Sequence, residues 1–174
     1  MKKLPIGIST FRKIIEGGYL YIDKTKDIYR MINEGELYFL SRPRRFGKSL
    51  LVSTLDEIFS GNKELFKGLW IYKSDWKWEK YPVIRIDMSN TKIKTASELE
   101  KRLLKMVNNT GKKFDIKIED DVYYGAFGEL IEKIPELSEK KKVVILIDEY
   151  DKPIIDNITN TKEVIGIRDI LKGF

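Results

Sequence analysis

Ser41-Arg42-Pro43-Arg44-Arg45-Phe46-Gly47-Lys48-Ser49 decides how this chain is read, because it follows an apolar run and closes in Gly-Lys-Ser. That ending fits the phosphate-binding loop G-x-x-x-x-G-K-[ST]. In such a loop the backbone N–H groups wrap phosphates, the Lys reaches the outer phosphates and the hydroxyl ligates Mg²⁺. Gly47, Lys48 and Ser49 take those places, while Arg42 stands where the first Gly belongs. A side chain at that point would be strained in any loop that needs a left-handed backbone there.

The flanks supply the context that a short motif needs. Leu37-Tyr38-Phe39-Leu40 reads as a buried strand, and Ser49 to Phe59 carries Leu50, Leu51, Leu55, Ile58 and Phe59 at the spacing of one helix face. Strand, loop and helix thus follow in the order a phosphate loop requires. The helix N-terminus would add its partial positive charge and free N–H groups where an anion would sit. The structural alternative is a basic strand-to-helix turn that only resembles the motif.

A second segment bears on the same rim. Lys140-Lys141-Lys142 leads into Val143-Val144-Ile145-Leu146-Ile147-Asp148-Glu149, an apolar run rich in β-branched residues that ends in two carboxylates. This is the pattern of a buried parallel strand with acids at its C-terminal edge. In open α/β sheets ligands bind outside the carboxyl ends of the strands, so Asp148 and Glu149 are expected at the rim that carries Lys48 and Ser49. Asp148 is the expected partner of Mg²⁺, directly or through water, and Glu149 is placed to polarise an attacking water. A strand that simply ends in solvated acids is the plainer reading of the same residues.

Arg42 to Ser49 together with Asp148-Glu149-Tyr150-Asp151-Lys152-Pro153 resembles the bacterial and archaeal AAA-ATPase-like family of predicted P-loop ATPases. Leu4-Pro5-Ile6-Gly7-Ile8-Ser9-Thr10-Phe11, Tyr21-Ile22-Asp23-Lys24-Thr25 and Tyr81-Pro82-Val83-Ile84 are also similar to that family, so the likeness covers nearly the whole chain. The resemblance implies that Arg42 in place of Gly is a family feature. It also implies at least two further strands after the acidic one, and in many members a restriction-endonuclease-like nuclease domain beyond the ATPase. On that basis the 174 residues are expected to be the N-terminal part of one domain, ending after the acidic strand and its following helix.

Composition narrows the chemistry. With no Cys and no His, the chain has no thiol catalysis, no imidazole base and none of the common zinc-ligand sets. No apolar run approaches spanning length, and Met1-Lys2-Lys3 precedes too short an apolar stretch for a signal peptide, so a cytoplasmic protein without membrane partners is the simplest expectation. Thirty-three Lys plus Arg against 27 Asp plus Glu give a net charge of +6, which favours anionic partners without naming one. The basic residues are interspersed rather than gathered on one face with aromatics, which does not favour nucleic acid, although it stays an open partner.

Along the chain, helices are expected over Ser9 to Glu16, from Asp23 to about Asn33, at Thr95-Ala96-Ser97-Glu98 onward through a capping box, over Val122 to Ile134 and over Lys162 to Leu171. Strands are expected at Leu37 to Leu40, Val83 to Met88 and Val143 to Ile147. Residues 1–35 then form a helical lead-in and residues 36–174 the nucleotide-binding core. The aromatic stretch Trp70, Tyr72, Trp76, Trp78 and Tyr81 reads as core packing. The fold class is α/β, a P-loop three-layer sandwich with a mostly parallel sheet. A sheet missing its later strands would leave an edge open to self-association.

The site that follows from this reading is expected to bind ATP with Mg²⁺. Backbone N–H groups from Arg44 through Arg45, Phe46, Gly47, Lys48 and Ser49 to Leu50 cradle the phosphates. Lys48 neutralises phosphate charge, Ser49 and Asp148 hold the metal, and Glu149 orients water. Arg44 and Arg45 either touch phosphate or anchor the loop by pairing with Asp151 and Asp156. Ile6, Gly7 and Phe11 are candidates for contact with the base. Hydrolysis is expected of the intact protein and binding alone of this segment; the competing reading is a non-hydrolysing regulatory module that binds nucleotide or nucleic acid.

Overall fold

The computed structural model describes residues 2–43, 45–89 and 92–174. The chain divides into two compact units, Met1–Tyr81 and Pro82–Phe174, and each has its own core.

The first unit is helical. Helices α1 (Phe11–Glu16), α2 (Thr25–Glu34) and α3 (Lys48–Phe59) are followed by single 3₁₀ turns at Lys63–Phe66 and Trp70–Lys73. Its core is aromatic: Phe11 is fully buried, stacked on Phe66 with ring centroids 4.6 Å apart and met edge-on by Tyr21 at 5.1 Å. Ile14, Ile58 and Ile71 are fully buried as well. Phe11 is thereby committed to the core and does not serve as a base contact, whereas Ile6 is 87% exposed.

Two polar clasps fix the helices. Arg12 of α1 donates from Nε and Nη2 to the two carboxylate oxygens of Glu57 in α3, at 2.9 and 2.7 Å, and Asn62 Nδ2 adds a third bond at 2.6 Å. That forked bond to Glu57 holds the Arg12 guanidinium above its ordinary pKa. Asp23 accepts from the Thr25 N–H at 2.8 Å and from the Trp70 N–H at 2.7 Å, and Thr25 Oγ1 accepts from the Ile71 N–H at 3.1 Å. The Asp-Lys-Thr stretch therefore starts α2 and ties it to the second 3₁₀ turn. Trp76 and Tyr81 both pack edge-on against Phe59, and Trp78 packs on Phe66, so these three line the core, whereas Trp70 is 40% exposed.

Leu37 to Leu40 departs from expectation. These residues enter no ladder, and Leu37, Tyr38, Phe39 and Leu40 are 94%, 51%, 71% and 40% exposed. A β-propensity run becomes a strand only through pairing and burial, and among the described residues these four enter no pairing. Tyr38 instead donates its hydroxyl to the Met31 carbonyl in the last turn of α2, at 2.5 Å.

The second unit is mixed. Strands β1 (Val83–Asp87) and β2 (Val144–Asp148) pair in parallel, Val83 opposite Val144 through Asp87 opposite Asp148. Between them run α4 (Ala96–Lys113) and α5 (Tyr123–Lys133), and after them α6 (Lys152–Asp156) and α7 (Thr161–Gly173). The capping box at α4 forms: Thr95 Oγ1 accepts from the Glu98 N–H at 3.2 Å, while the Glu98 carboxylate reaches one residue further back, to the Lys94 N–H at 2.8 Å. Ile84, Ile86 and Met88 of the β1 segment share a buried core with Leu99, Leu103, Val107, Phe127, Leu130 and Ile167 from the helices. Buried Asn157 donates to the Ile93 and Pro153 carbonyls at 2.7 and 2.9 Å, and Glu163 accepts from the Ala96 N–H at 2.8 Å, which joins the starts of α4 and α7.

This is a helix-and-strand chain with a small parallel sheet, in keeping with α/β. Of the three strands expected, two form among the described residues. No helix among those residues is long and apolar enough to cross a membrane.

Glu129 gives this unit a measurable acid sensitivity. Its carboxylate accepts from Lys133 Nζ at 2.8 Å and from the Asp120 N–H at 2.8 Å, and these bonds hold its pKa below the ordinary carboxylate value. A depressed folded-state pKa contributes stability above the unfolded value, about 4.3, and that contribution is lost as pH falls through the folded value. Glu129→Gln should therefore be less stable than wild type near neutral pH and converge on it in acid. Denaturant midpoints measured down the pH scale check this; a constant gap between the two proteins is the contrary result.

Candidate functional site

The first unit offers one candidate element, the start of α3. Its N-cap, Gly47, sits at φ +79°, ψ 19°, no side chain caps the helix, and no acid lies in its first turn. The first intrahelical bond runs from the Leu51 N–H to the Gly47 carbonyl at 2.9 Å, so the N–H groups of Lys48, Ser49 and Leu50 have no acceptor within the helix. An N-terminus left in this state is suited to an anion. A Cβ on Gly47 would meet nothing within 4 Å, but its φ of +79° would strain any other residue.

The loop before α3 takes its second left-handed position at Arg45, φ +68°, and Arg42 is not among the positive-φ residues. The side chain at the first-Gly position therefore carries no backbone strain. The strain lies instead at Arg45, where a non-Gly residue in this region costs on the order of 1–2 kcal/mol. Lys48 folds back across the loop, donating from Nζ to the Arg42 carbonyl at 2.5 Å and lying 3.4 Å from the Pro43 carbonyl. Its ammonium is thus held by two neutral carbonyl acceptors, which a phosphate oxygen could replace. Ser49 and Leu50 are half-buried in the first turn, and the Leu50 carbonyl accepts from Thr54 Oγ1 at 2.8 Å. Arg45 is exposed, as is Phe46 at 63%. Arg44 lies outside the described residues.

The second unit offers another candidate element, the end of β2. Asp148 is 4% exposed, and among the described residues its carboxylate has no hydrogen-bond or ion-pair partner. A buried carboxylate with nothing to offset its charge is costly, and a hard cation is the ligand that would relieve it. Glu149 leaves the strand at φ +56°, and its carbonyl accepts from the Lys152 N–H at 3.0 Å, closing the turn into α6. The left-handed turn re-aims Glu149 away from the strand's alternation. A bulky residue kept in this conformation is the kind of local strain found at functional positions. Asp156 is engaged by Lys152 within α6, so it already has a cationic partner.

One residue at this edge was missed in the sequence. Asp87 lies opposite Asp148 in the parallel register and therefore on the same face of the sheet. The signal was present: Val83-Ile84-Arg85-Ile86-Asp87 repeats the pattern of Val144-Ile145-Leu146-Ile147-Asp148. The first unit thus carries an uncapped helix start behind a Gly-Lys-Ser loop, and the second a parallel strand pair ending in a buried acid.

The sequence pattern of the AAA-ATPase-like family, described as predicted AAA-ATPase, matches residues 5–174. The chain belongs to that family. It is also 44% identical, over 174 residues and 99% of its length, to an Azotobacter chroococcum mcd 1 protein described as an uncharacterized protein in the vnfD 5' region. The chain spans 33% of that relative's length. No solved structure matches it.

Proposed function

We propose that this chain is the ATP-binding part of a P-loop ATPase, and that the whole protein hydrolyses ATP with Mg²⁺ in a cytoplasmic setting. In this reading the expected three-layer P-loop sandwich is the fold of the whole domain. The uncapped start of α3, with Lys48 drawn across its loop, carries the reading. It combines N–H groups without helical acceptors, a helix dipole and a lysine ammonium, a combination suited to a polyphosphate.

The roles follow from chemistry. N–H groups from Arg45 to Leu50 hold phosphate oxygens, and Lys48 exchanges the Arg42 carbonyl for the β- and γ-phosphates as the nucleotide enters. Ser49 and Asp148 hold Mg²⁺, which when bound offsets charge on the transferring phosphoryl group. Glu149 accepts a hydrogen bond from the attacking water and orients it in line with the leaving oxygen. Among the described residues no three His, Cys, Asp or Glu gather as a ready metal cage, so the remaining ligands in this scheme are phosphate oxygens and water.

The metal half of the proposal is tested by Asp148→Asn. The substitution keeps size and removes charge, so ATP affinity measured without Mg²⁺ should hardly change, while the gain in affinity on adding Mg²⁺ should shrink. Titration calorimetry with and without the metal reads both. An undiminished Mg²⁺ effect would remove Asp148 from the site.

A further inference from the structure

The adjacent ends of β1 and β2 carry two carboxylates that a solvated strand edge does not explain. Asp87 and Asp148 are register partners on parallel strands, about 4.8 Å apart in the hydrogen-bonding direction, and they project to one face. Like charges directly opposite each other on a sheet repel. Asp148 is 4% exposed and unpartnered among the described residues. Asp87 is held in place without full neutralisation: Oδ1 accepts from the Ser89 N–H at 2.8 Å, and Oδ2 stands 4.0 Å from Arg85 Nη2.

We propose that Asp87 and Asp148 together form a divalent-cation site at the C-terminal edge of the sheet, with Asp87 as a second carboxylate beside the one assigned to Mg²⁺. The inference rests on the nucleotide reading only in taking Asp148 as a metal residue. A hard cation offsets both charges at once, accepts one oxygen from each carboxylate, and leaves its other positions to water or phosphate oxygens. The site would then bind the ion weakly before nucleotide arrives. The fixed Asp87, oriented by Ser89, would set the direction from which Asp148 and water present their oxygens.

Asp87→Asn is the informative variant, since an Asn side-chain oxygen can still accept from the Ser89 N–H and preserve the turn. Free Mn²⁺ followed by electron paramagnetic resonance, with no nucleotide present, should show a weak site in wild type. Its affinity should fall about tenfold or more in Asp87→Asn and in Asp148→Asn. Absence of Mn²⁺ binding in wild type, or equal affinity in wild type and Asp87→Asn, overturns the proposal. Should the variant fail to fold, the wild-type melting temperature must still rise with Mn²⁺; no rise is again contradictory. The two readings fail separately. Mn²⁺ binding through both aspartates without ATP binding removes the nucleotide reading alone, and normal ATP binding with an Asp87-independent Mn²⁺ site removes this one alone.

Discussion

Full-length protein carrying Glu149→Gln is expected to bind Mg-ATP about as well as wild type and to turn it over on the order of 100-fold more slowly, the usual scale for a positioned acid–base group. The amide keeps the shape of the side chain and loses the charge that would orient or deprotonate water. Because Glu149 sits at φ +56°, a second substitution separates chemistry from strain. Glu149→Gly should lose turnover as deeply yet gain about 1 kcal/mol of stability, since glycine takes the left-handed region without steric cost. Single-turnover phosphate release and denaturant unfolding measure the two effects. Full turnover in Glu149→Gln would make this carboxylate only the polar end of a buried strand, and a non-hydrolysing nucleotide-binding module would then be the better account.

Lys48→Ala should weaken Mg-ATP affinity by roughly 10- to 150-fold, from loss of a charge-assisted contact worth about 1.5–3 kcal/mol. Two opposing contributions decide where in that range it falls. Loss of the phosphate contact lowers affinity. Loss of the bond to the Arg42 carbonyl, 2.5 Å in the nucleotide-free loop, removes a contact that the bound state must break and so recovers a little. The first is the larger because it joins two charged groups. Thermal unfolding of the same variant should be close to wild type, since Lys48 Nζ is not part of either core. Equal ATP affinity in a folded Lys48→Ala protein would remove the loop from the site.

Local signals made much of this legible. The starts of α2 and α4 follow from caps, because the bonds that set them lie within a few residues: the Thr25 N–H to Asp23 and the Glu98 N–H to Thr95 Oγ1. The strand ending in Asp148 is equally plain, being an apolar run with an abrupt polar end. Leu37 to Leu40 shows the limit of such reasoning. Its composition is that of a strand, but strand formation depends on a partner that the run itself does not contain. The strain at Arg45 and Glu149 was likewise hidden, since neither side chain advertises a left-handed backbone as Gly or Asn would. Asp87 was hidden by register, which is a relation between two distant segments. Only the repeated Val-Ile-x-Ile-Asp pattern pointed to it.

The most direct measurement is phosphate release from ATP by the full-length protein, with Mg²⁺ present and after its removal by chelation, beside Lys48→Ala and Glu149→Gln. Mg²⁺-dependent release that is lost in both variants, with ATP binding retained in Glu149→Gln alone, is the predicted result. Release that is indifferent to Mg²⁺ and to both substitutions would contradict it.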